Sequence, residues 1–428
     1  MDVYMSMELL APAGDFEKLR YALAFGADAV YAGQPKFSLR TRENGFTGLE
    51  DIKEAIDYTQ SKGKKFYLTS NIIPHNNKIL PFQKSIGDYA DLKPDALIMS
   101  DLGMINYVRK NFPDLEVHLS VQANCTNWST ATFWRDLGVK RIILSRELNL
   151  REINEITQNV PNIELEAFVH GAICMAYSGR CMLSNYMSYR DGNQGNCSNA
   201  CRFKYNLYAK NSPQSDDYVP LEGEFYLKEE GDMGNNMMLM DEDSYGTYIM
   251  NSKDMCAIEH LDKINEVGIV SFKIEGRTKS IYYLSQVVRT YRKALDNLKA
   301  GLPFDPELKD EILKLDSRGY IPGFFIPQRD ELPQNYKTTR VTSETAQVVG
   351  IVCSYDSEKK EAQINIKGNI LEGDSLELIA PSGSKNFKAE KLRNHKGLDV
   401  KKVSSGMNDC HIYLSEDPGE FALISKVL

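Results

Sequence analysis

Four cysteines gather in one short stretch of this chain: Cys174 and Cys181 with six residues between them, then Cys197 and Cys201 with three, in a segment rich in Gly, Ser and Asn. Thiolates are soft ligands suited to iron and zinc, and ligands carried on loops can wrap a compact ion or cluster. Repeated CxxC pairs would read as a zinc ribbon, whereas this irregular spacing favours an iron–sulfur cluster and keeps structural zinc as the alternative. Cys256 is a fifth candidate for the cofactor, either in place of Cys201 as fourth ligand or as a neighbour. Cys125, Cys353 and Cys410 stand alone and read as small buried hydrophobes.

Other residue types around this cluster could do chemistry. Arg146, Lys273 and Arg277 are cations at the ends of strand-like runs, and guanidinium forks grip carboxylates in pairs. His75, His170 and Glu275 are the candidates for proton transfer. Each of these six, read alone, serves equally well as a salt bridge or a cap. Tyr177, Tyr186, Tyr189, Phe203 and Tyr205 interleave with Arg180, Arg190, Arg202 and Lys204, a pattern consistent with base stacking and phosphate contact or with packing of an irregular loop. The chain has no Gly-x-Ser-x-Gly elbow and no His-Glu-x-x-His helix. A thiol nucleophile at Cys174 with His170 as its base is conceivable, but cluster ligation would consume that thiolate.

The elements that must position these residues alternate in type. Strand-like runs fall at Glu8–Ala11, Ala29–Gly33, Lys65–Ser70, Ala96–Asp101, Val117–Gln122, Arg141–Ser145, Ile163–Val169 and Val270–Glu275. Amphipathic helical patterns lie between them at Asp15–Phe25, Leu49–Lys62, Leu102–Asn111, Thr126–Leu137 and Leu150–Gln158, with later ones at Ser252–Val267 and Ile281–Lys299. Strands alternating with helices predict a parallel sheet, and eight of them suit a (β/α)8 TIM-like barrel, with an open doubly wound sheet as the alternative. Polar residues sit at most strand C-terminal ends, among them Asn71, Asp101, Gln122, Arg146, His170, Glu275 and Arg277, which favours the barrel. About half of such residues are expected to be helix caps.

Residues 171–246 interrupt this rhythm with the cysteines and a polar stretch, a long insertion in a βα loop. The barrel domain is expected over residues 1–335. From residue 340 to 428 short strands with turns predict a small C-terminal all-β barrel. Its lysines offer a surface for a phosphate backbone, or simply a solvated face. The apolar fraction of 42% and charged fraction of 26% are those of a globular protein, and the net charge of −8 argues against a partner held by bulk positive charge. With no membrane-spanning run and no secretory leader pattern, the expectation is a cytoplasmic protein.

The blocks Glu166-Ala167-Phe168-Val169-His170-Gly171-Ala172-Ile173-Cys174 and Ser178-Gly179-Arg180-Cys181-Met182-Leu183-Ser184 resemble the signature of the collagenase-like peptidase family 32 of unclassified type. Glu8–Gly14, Gly26–Gly33, Leu119–Asn124 and Lys273–Arg277 extend the resemblance over the chain. Gln34–Arg40, Asn71–Asn76 and Gly246–Asp254 match a branch that hydroxylates tRNA. The resemblance implies an oxygen-independent hydroxylase carrying a 4Fe–4S cluster, forming 5-hydroxyuridine at the wobble position in the tRNA anticodon loop, with prephenate as co-substrate. It carries the cluster ligands over to Cys174, Cys181 and Cys197 and leaves the choice between Cys201 and Cys256 open. A collagenase-like peptidase, a hydroxylase of another RNA and a zinc-bearing RNA-binding factor are the competing readings. A homo-oligomer or a paralogous partner subunit is compatible with all of them.

Overall fold

The protein is described here from a computed structural model over residues 7–39, 41–174, 176–202, 208–210, 217–220, 225–227, 238–240, 242–243, 246–247, 252–326, 346–407 and 409–427. Eight parallel strands close on themselves: β1 (Glu8–Pro12), β2 (Ala29–Gly33), β3 (Lys65–Ser70), β4 (Ala96–Met99), β5 (Val117–Leu119), β6 (Arg141–Ile143), β7 (Glu164–Ala172) and β8 (Ile269–Ile274). The ring is completed by β8 pairing in parallel with both β7 and β1, so the sheet is a barrel and not an open one. Strands such as β1 and β2 are buried at every residue, as strands covered on both faces must be.

Helices α1 (Phe16–Ala24), α2 (Leu49–Ser61), α3 (Asn76–Asp91), α4 (Leu102–Asn111), α5 (Trp128–Asp136) and α6 (Leu150–Asn159) connect the strands. Their starts are written locally. Asp15, Asp101, Asn127 and Asn149 each accept a hydrogen bond from a first-turn amide, and Glu152 completes a capping box on α6. Asp101 is thus one of the strand-end polar residues that serves as a cap.

The structure corrects the predicted elements in three places. Helix α3 was not anticipated, because Pro81 and Gly87 interrupt its pattern, yet Phe82, Ile86 and Tyr89 form a buried stripe at helical spacing. The single helix expected over Ser252–Val267 is instead a strand, Asp254–Cys256, followed by a short helix α8 (Leu261–Glu266). That strand pairs antiparallel with the end of β7, and buried Asp254 is held by the Arg318 guanidinium. The final strand, Leu423–Val427, was also not anticipated. It lies between Ala346–Asp356 and Ser375–Ala380, at the centre of an eight-stranded antiparallel sheet in the C-terminal domain.

Helix α9 (Ile281–Lys299) lies against α1, and the C-terminal domain rests on this side of the barrel. Ile379 and Leu423 join the barrel's core, and the Phe421 ring meets Tyr21 edge-on at 5.1 Å. The expected domain boundary between residues 335 and 340 lies outside the described residues. Among the described residues no helix is long and apolar enough to cross a membrane.

Candidate functional site

The barrel interior is charged at its lower layer. Arg141 on β6 meets Glu8 on β1, Glu164 and Glu166 on β7, and Glu166 passes its other oxygen to Lys273 Nζ on β8 at 2.9 Å. The Ser271 hydroxyl lies 3.0 Å from both Glu8 and Glu166 carboxylates, and Tyr67 donates to Glu8 at 2.8 Å. The buried carboxylates Glu8 and Glu166 balance the buried cations Arg141 and Lys273, while Glu164 reaches solvent, so every buried charge is paired, as burial demands.

Above this layer a cavity opens at the C-terminal ends of the strands. Lys273 forms part of its floor beside Tyr31 and Phe168, with its Nζ 4.2 Å from the Tyr31 ring centre. Burial pulls the Lys273 ammonium down from its ordinary value, and Glu166 opposes that pull. The Arg146 guanidinium carbon lies 3.9 Å from the Phe168 ring centre, and that of Arg277 stands 5.8 Å from the Tyr31 ring centre. Neither guanidinium has a carboxylate within 4 Å among the described residues. Tyr31 Oη lies 3.0 Å from Ile274 O and 3.2 Å from Glu275 Oε2, and burial pushes its phenol well above the ordinary range, so it stays neutral.

The opposite wall is neutral: Thr69, Asn71, Ser120 and Gln122 from β3 and β5. Asn71 donates to Ser120 Oγ at 3.0 Å and accepts from Leu39 N at 3.1 Å, which sets its amide.

The cysteine segment roofs this cavity and is tied to the strand ends at several points. Glu147 does not pair with Arg146; it accepts from Ser178 N at 2.6 Å. Asn193 accepts from Gln122 Nε2 at 3.1 Å, donates to Cys181 O at 3.3 Å and offers its carbonyl to Ile73 N at 3.0 Å. Gly179, at φ +74°, presses so close to the end of β5 that a Cβ there would sit 2.0 Å from Gln122 O. Cys174, Cys181, Cys197 and Cys201 all face the cavity. Burial pushes the Cys201 thiol up, Arg202 opposes this, and the three other thiols push it up further.

Three of the predicted site residues stand elsewhere. On β7, Phe168 pairs with Lys273 but His170 pairs with Ile274, so two steps on one strand oppose a single step on the other. This bulge turns His170 out of the cavity. The ring is buried against Tyr283, Tyr291 and Tyr320, and burial, aided by nearby Lys279, pushes its pKa down to about 3. Cys256 is the cross-strand partner of His170, with its Sγ 3.8 Å from Tyr291 Oη, and does not line the cavity. The Cys174–His170 dyad is therefore not formed. His75 is exposed at the rim, 3.8 Å from Asp191, and is also outside the cavity. Arg146, Lys273, Glu275 and Arg277 are brought together as expected. Tyr31 and Phe168 were missed because they read as core aromatics; the inward alternation of Tyr31 with Gly33 was the available signal.

The residues present could hold a soft metal centre. Four cysteines line one cavity beside Arg202, a soft donor set with a cation at its edge. Among the described residues no three Cys, His, Asp or Glu side chains close around a point suited to one metal ion.

These features define a (β/α)8-barrel protein whose cysteine-bearing insertion covers the catalytic face, with a cationic and a neutral wall beneath it. The chain belongs to peptidase family U32: the family model matches residues 14–335, and the model of the family's C-terminal domain matches residues 344–424. It is 45% identical to the tRNA hydroxylation protein P of Haemophilus influenzae, over 99% of this chain and 96% of that protein. It is 33% identical to the 23S rRNA 5-hydroxycytidine C2501 synthase of Escherichia coli, over 76% of this chain and 43% of that protein. A collagenase of Porphyromonas gingivalis is 28% identical over 93% of this chain and 92% of its own length.

Proposed function

We propose that this chain is a tRNA hydroxylase that replaces the C5 hydrogen of the wobble uridine by a hydroxyl group. It does so without molecular oxygen, with prephenate as the co-substrate that gives up its hydroxyl oxygen to C5 and takes in exchange the hydrogen and electron pair released there, and with a 4Fe–4S cluster held by Cys174, Cys181, Cys197 and Cys201. The observation that carries this reading is the meeting of four thiols and four cationic side chains in one cavity, in a chain so similar to a tRNA hydroxylation protein.

When bound, the cluster supplies electron transfer, since four thiolate ligands leave no open iron. Arg146 and Arg277 bind the two carboxylates of the co-substrate, and Phe168 keeps the Arg146 plane in place. Lys273, held by Glu166, adds positive charge at the floor. Glu275 Oε2 takes the proton that leaves C5, with the Tyr31 hydroxyl steadying the carboxylate. The neutral amides and hydroxyls of the β3–β5 wall face the base, and the insertion shields it from water.

Two measurements test this. Protein purified without air should contain iron and labile sulfide and absorb near 400 nm; zinc without sulfide overturns the cluster. Nucleoside mass spectrometry should find 5-hydroxyuridine lost from the tRNA of a strain lacking this protein and its paralogues, and restored by the wild-type chain. Unchanged 5-hydroxyuridine overturns the activity.

A further inference from the structure

The short helix α7 (Leu183–Ser188) is built inside out. Its buried side is Ser184, whose hydroxyl donates to Arg190 O at 2.6 Å and accepts from Ser198 N at 2.8 Å. Its outward side carries Met182, Tyr186 and Tyr189, spaced by four and three residues and exposed by 70, 84 and 93%. A surface helix ordinarily does the reverse, with its apolar face inward. Tyr189 also ends the helix at φ +54°, a left-handed conformation that a bulky side chain rarely adopts. Among the described residues no packing accounts for either tyrosine, and exposed apolar surface of this kind marks a docking site.

The surroundings indicate what docks. Arg180 is exposed beside the helix, the Arg190 side chain donates to Asn196 and the Cys197 carbonyl, and Arg202 reaches the Ile173 carbonyl. Among the described residues none of the three is neutralised by a carboxylate within 4 Å. Aromatic faces next to unneutralised arginines suit unstacked bases on a phosphate backbone better than an apolar protein surface. Ser184, on the inner side of the helix, lines the catalytic cavity, and Tyr177, 64% exposed, stands at its edge.

We infer that the outward face of α7 is a stacking platform for single-stranded RNA. Tyr186 and Tyr189 each take an unpaired base flanking the one held in the cavity, and Arg180 neutralises a neighbouring phosphate. This inference rests on the tRNA reading above and adds the surface that holds the loop. Phe203, Lys204 and Tyr205, read with the same pattern, lie outside the described residues.

The test is fluorescence anisotropy of the full-length protein with a labelled tRNA anticodon stem–loop and with a duplex of the same loop sequence. Tyr186→Ala and Tyr189→Ala should each weaken stem–loop binding roughly 5- to 100-fold, with Trp at either position restoring it and duplex binding unchanged. Arg180→Ala should lower the salt dependence by about one counterion. Both tyrosines are exposed, so the melting temperature should stay at the wild-type value. A double alanine variant with wild-type affinity overturns the platform, while the wild-type chain still forming 5-hydroxyuridine leaves the proposed function intact. A wild-type chain that neither binds the stem–loop nor forms the nucleoside overturns both. A dimer seen by light scattering, abolished by the double variant at unchanged RNA affinity, assigns the face to a second copy of the chain instead.

Discussion

Arg146 and Cys201 carry the chemistry that single residues can decide. Arg146 lies on the Phe168 ring with its fork free of any described carboxylate, a geometry that a lysine cannot copy. Arg146→Ala and Arg146→Lys should both raise the KM for prephenate, by roughly 10- to 100-fold for the loss of a charge-assisted pair. Steady-state kinetics with tRNA held saturating would show it, and an unchanged KM would place the co-substrate elsewhere. For the thiols, the cavity contains Cys201 and leaves Cys256 against Tyr291. Cys201→Ser should therefore lose iron and sulfide from the purified protein while Cys256→Ser keeps both. The opposite result would make Cys256 the ligand.

At the scale of elements, the end of β7 is the point on which the site turns. The bulge puts Phe168 into the cavity and His170 behind it, and Gly171 follows at φ +104°, where a Cβ would sit 2.3 Å from Glu275 O. Gly171→Ala must both strain the backbone and displace the strand that carries Lys273 and Glu275. A destabilisation of about 2 kcal/mol or more is expected in urea unfolding, with activity falling further than stability does. His170 adds a pH dependence of the same element. Its folded pKa lies far below the ordinary 6.5, so the unfolded chain binds the extra proton. Its contribution is fully present above pH 6.5 and is lost as pH falls toward about 3. His170→Phe should flatten the decline of melting temperature between pH 7 and 4; an unchanged slope would show that the ring is not buried neutral.

For the whole molecule, the barrel is held from within by the Glu8–Arg141–Glu166–Lys273 network, which joins β1, β6, β7 and β8 across the interior. Arg141→Met leaves Glu8 buried without its close cation and Glu166 with Lys273 alone, and should cost about 3–5 kcal/mol. Glu8 adds to the acid sensitivity. Burial pushes its carboxyl up, but Arg141 and Tyr67 outweigh this and its pKa ends below the ordinary 4.5. Stability from Glu8 is present above that value and lost as pH falls below it. The Arg141→Met variant should lose this part of the acid transition, as read from unfolding curves at pH 5 and pH 3.

How much of this was legible in the chain depends on distance. The eight strands, most helices and the cysteine segment could be read because buried runs, caps and clustered thiols are local signals, and the resemblance of Glu166–Ser184 to its family is local too. The gathering of Arg146, Lys273, Glu275 and Arg277 followed from one rule, that barrel sites sit at strand ends. What tertiary structure alone decided was facing and partnership. His170 has every local mark of an inward residue, and only the pairing of β7 with β8, about a hundred residues further along the chain, turns it away. Cys256 follows His170 to the far side because the two are cross-strand neighbours, and so Cys201, not Cys256, shares the cavity with the other three thiols. Local sequence determines which elements form and which chemistry they carry. Which face each side chain turns to the cavity is set by register between strands far apart in the chain, where one extra residue reverses everything beyond it.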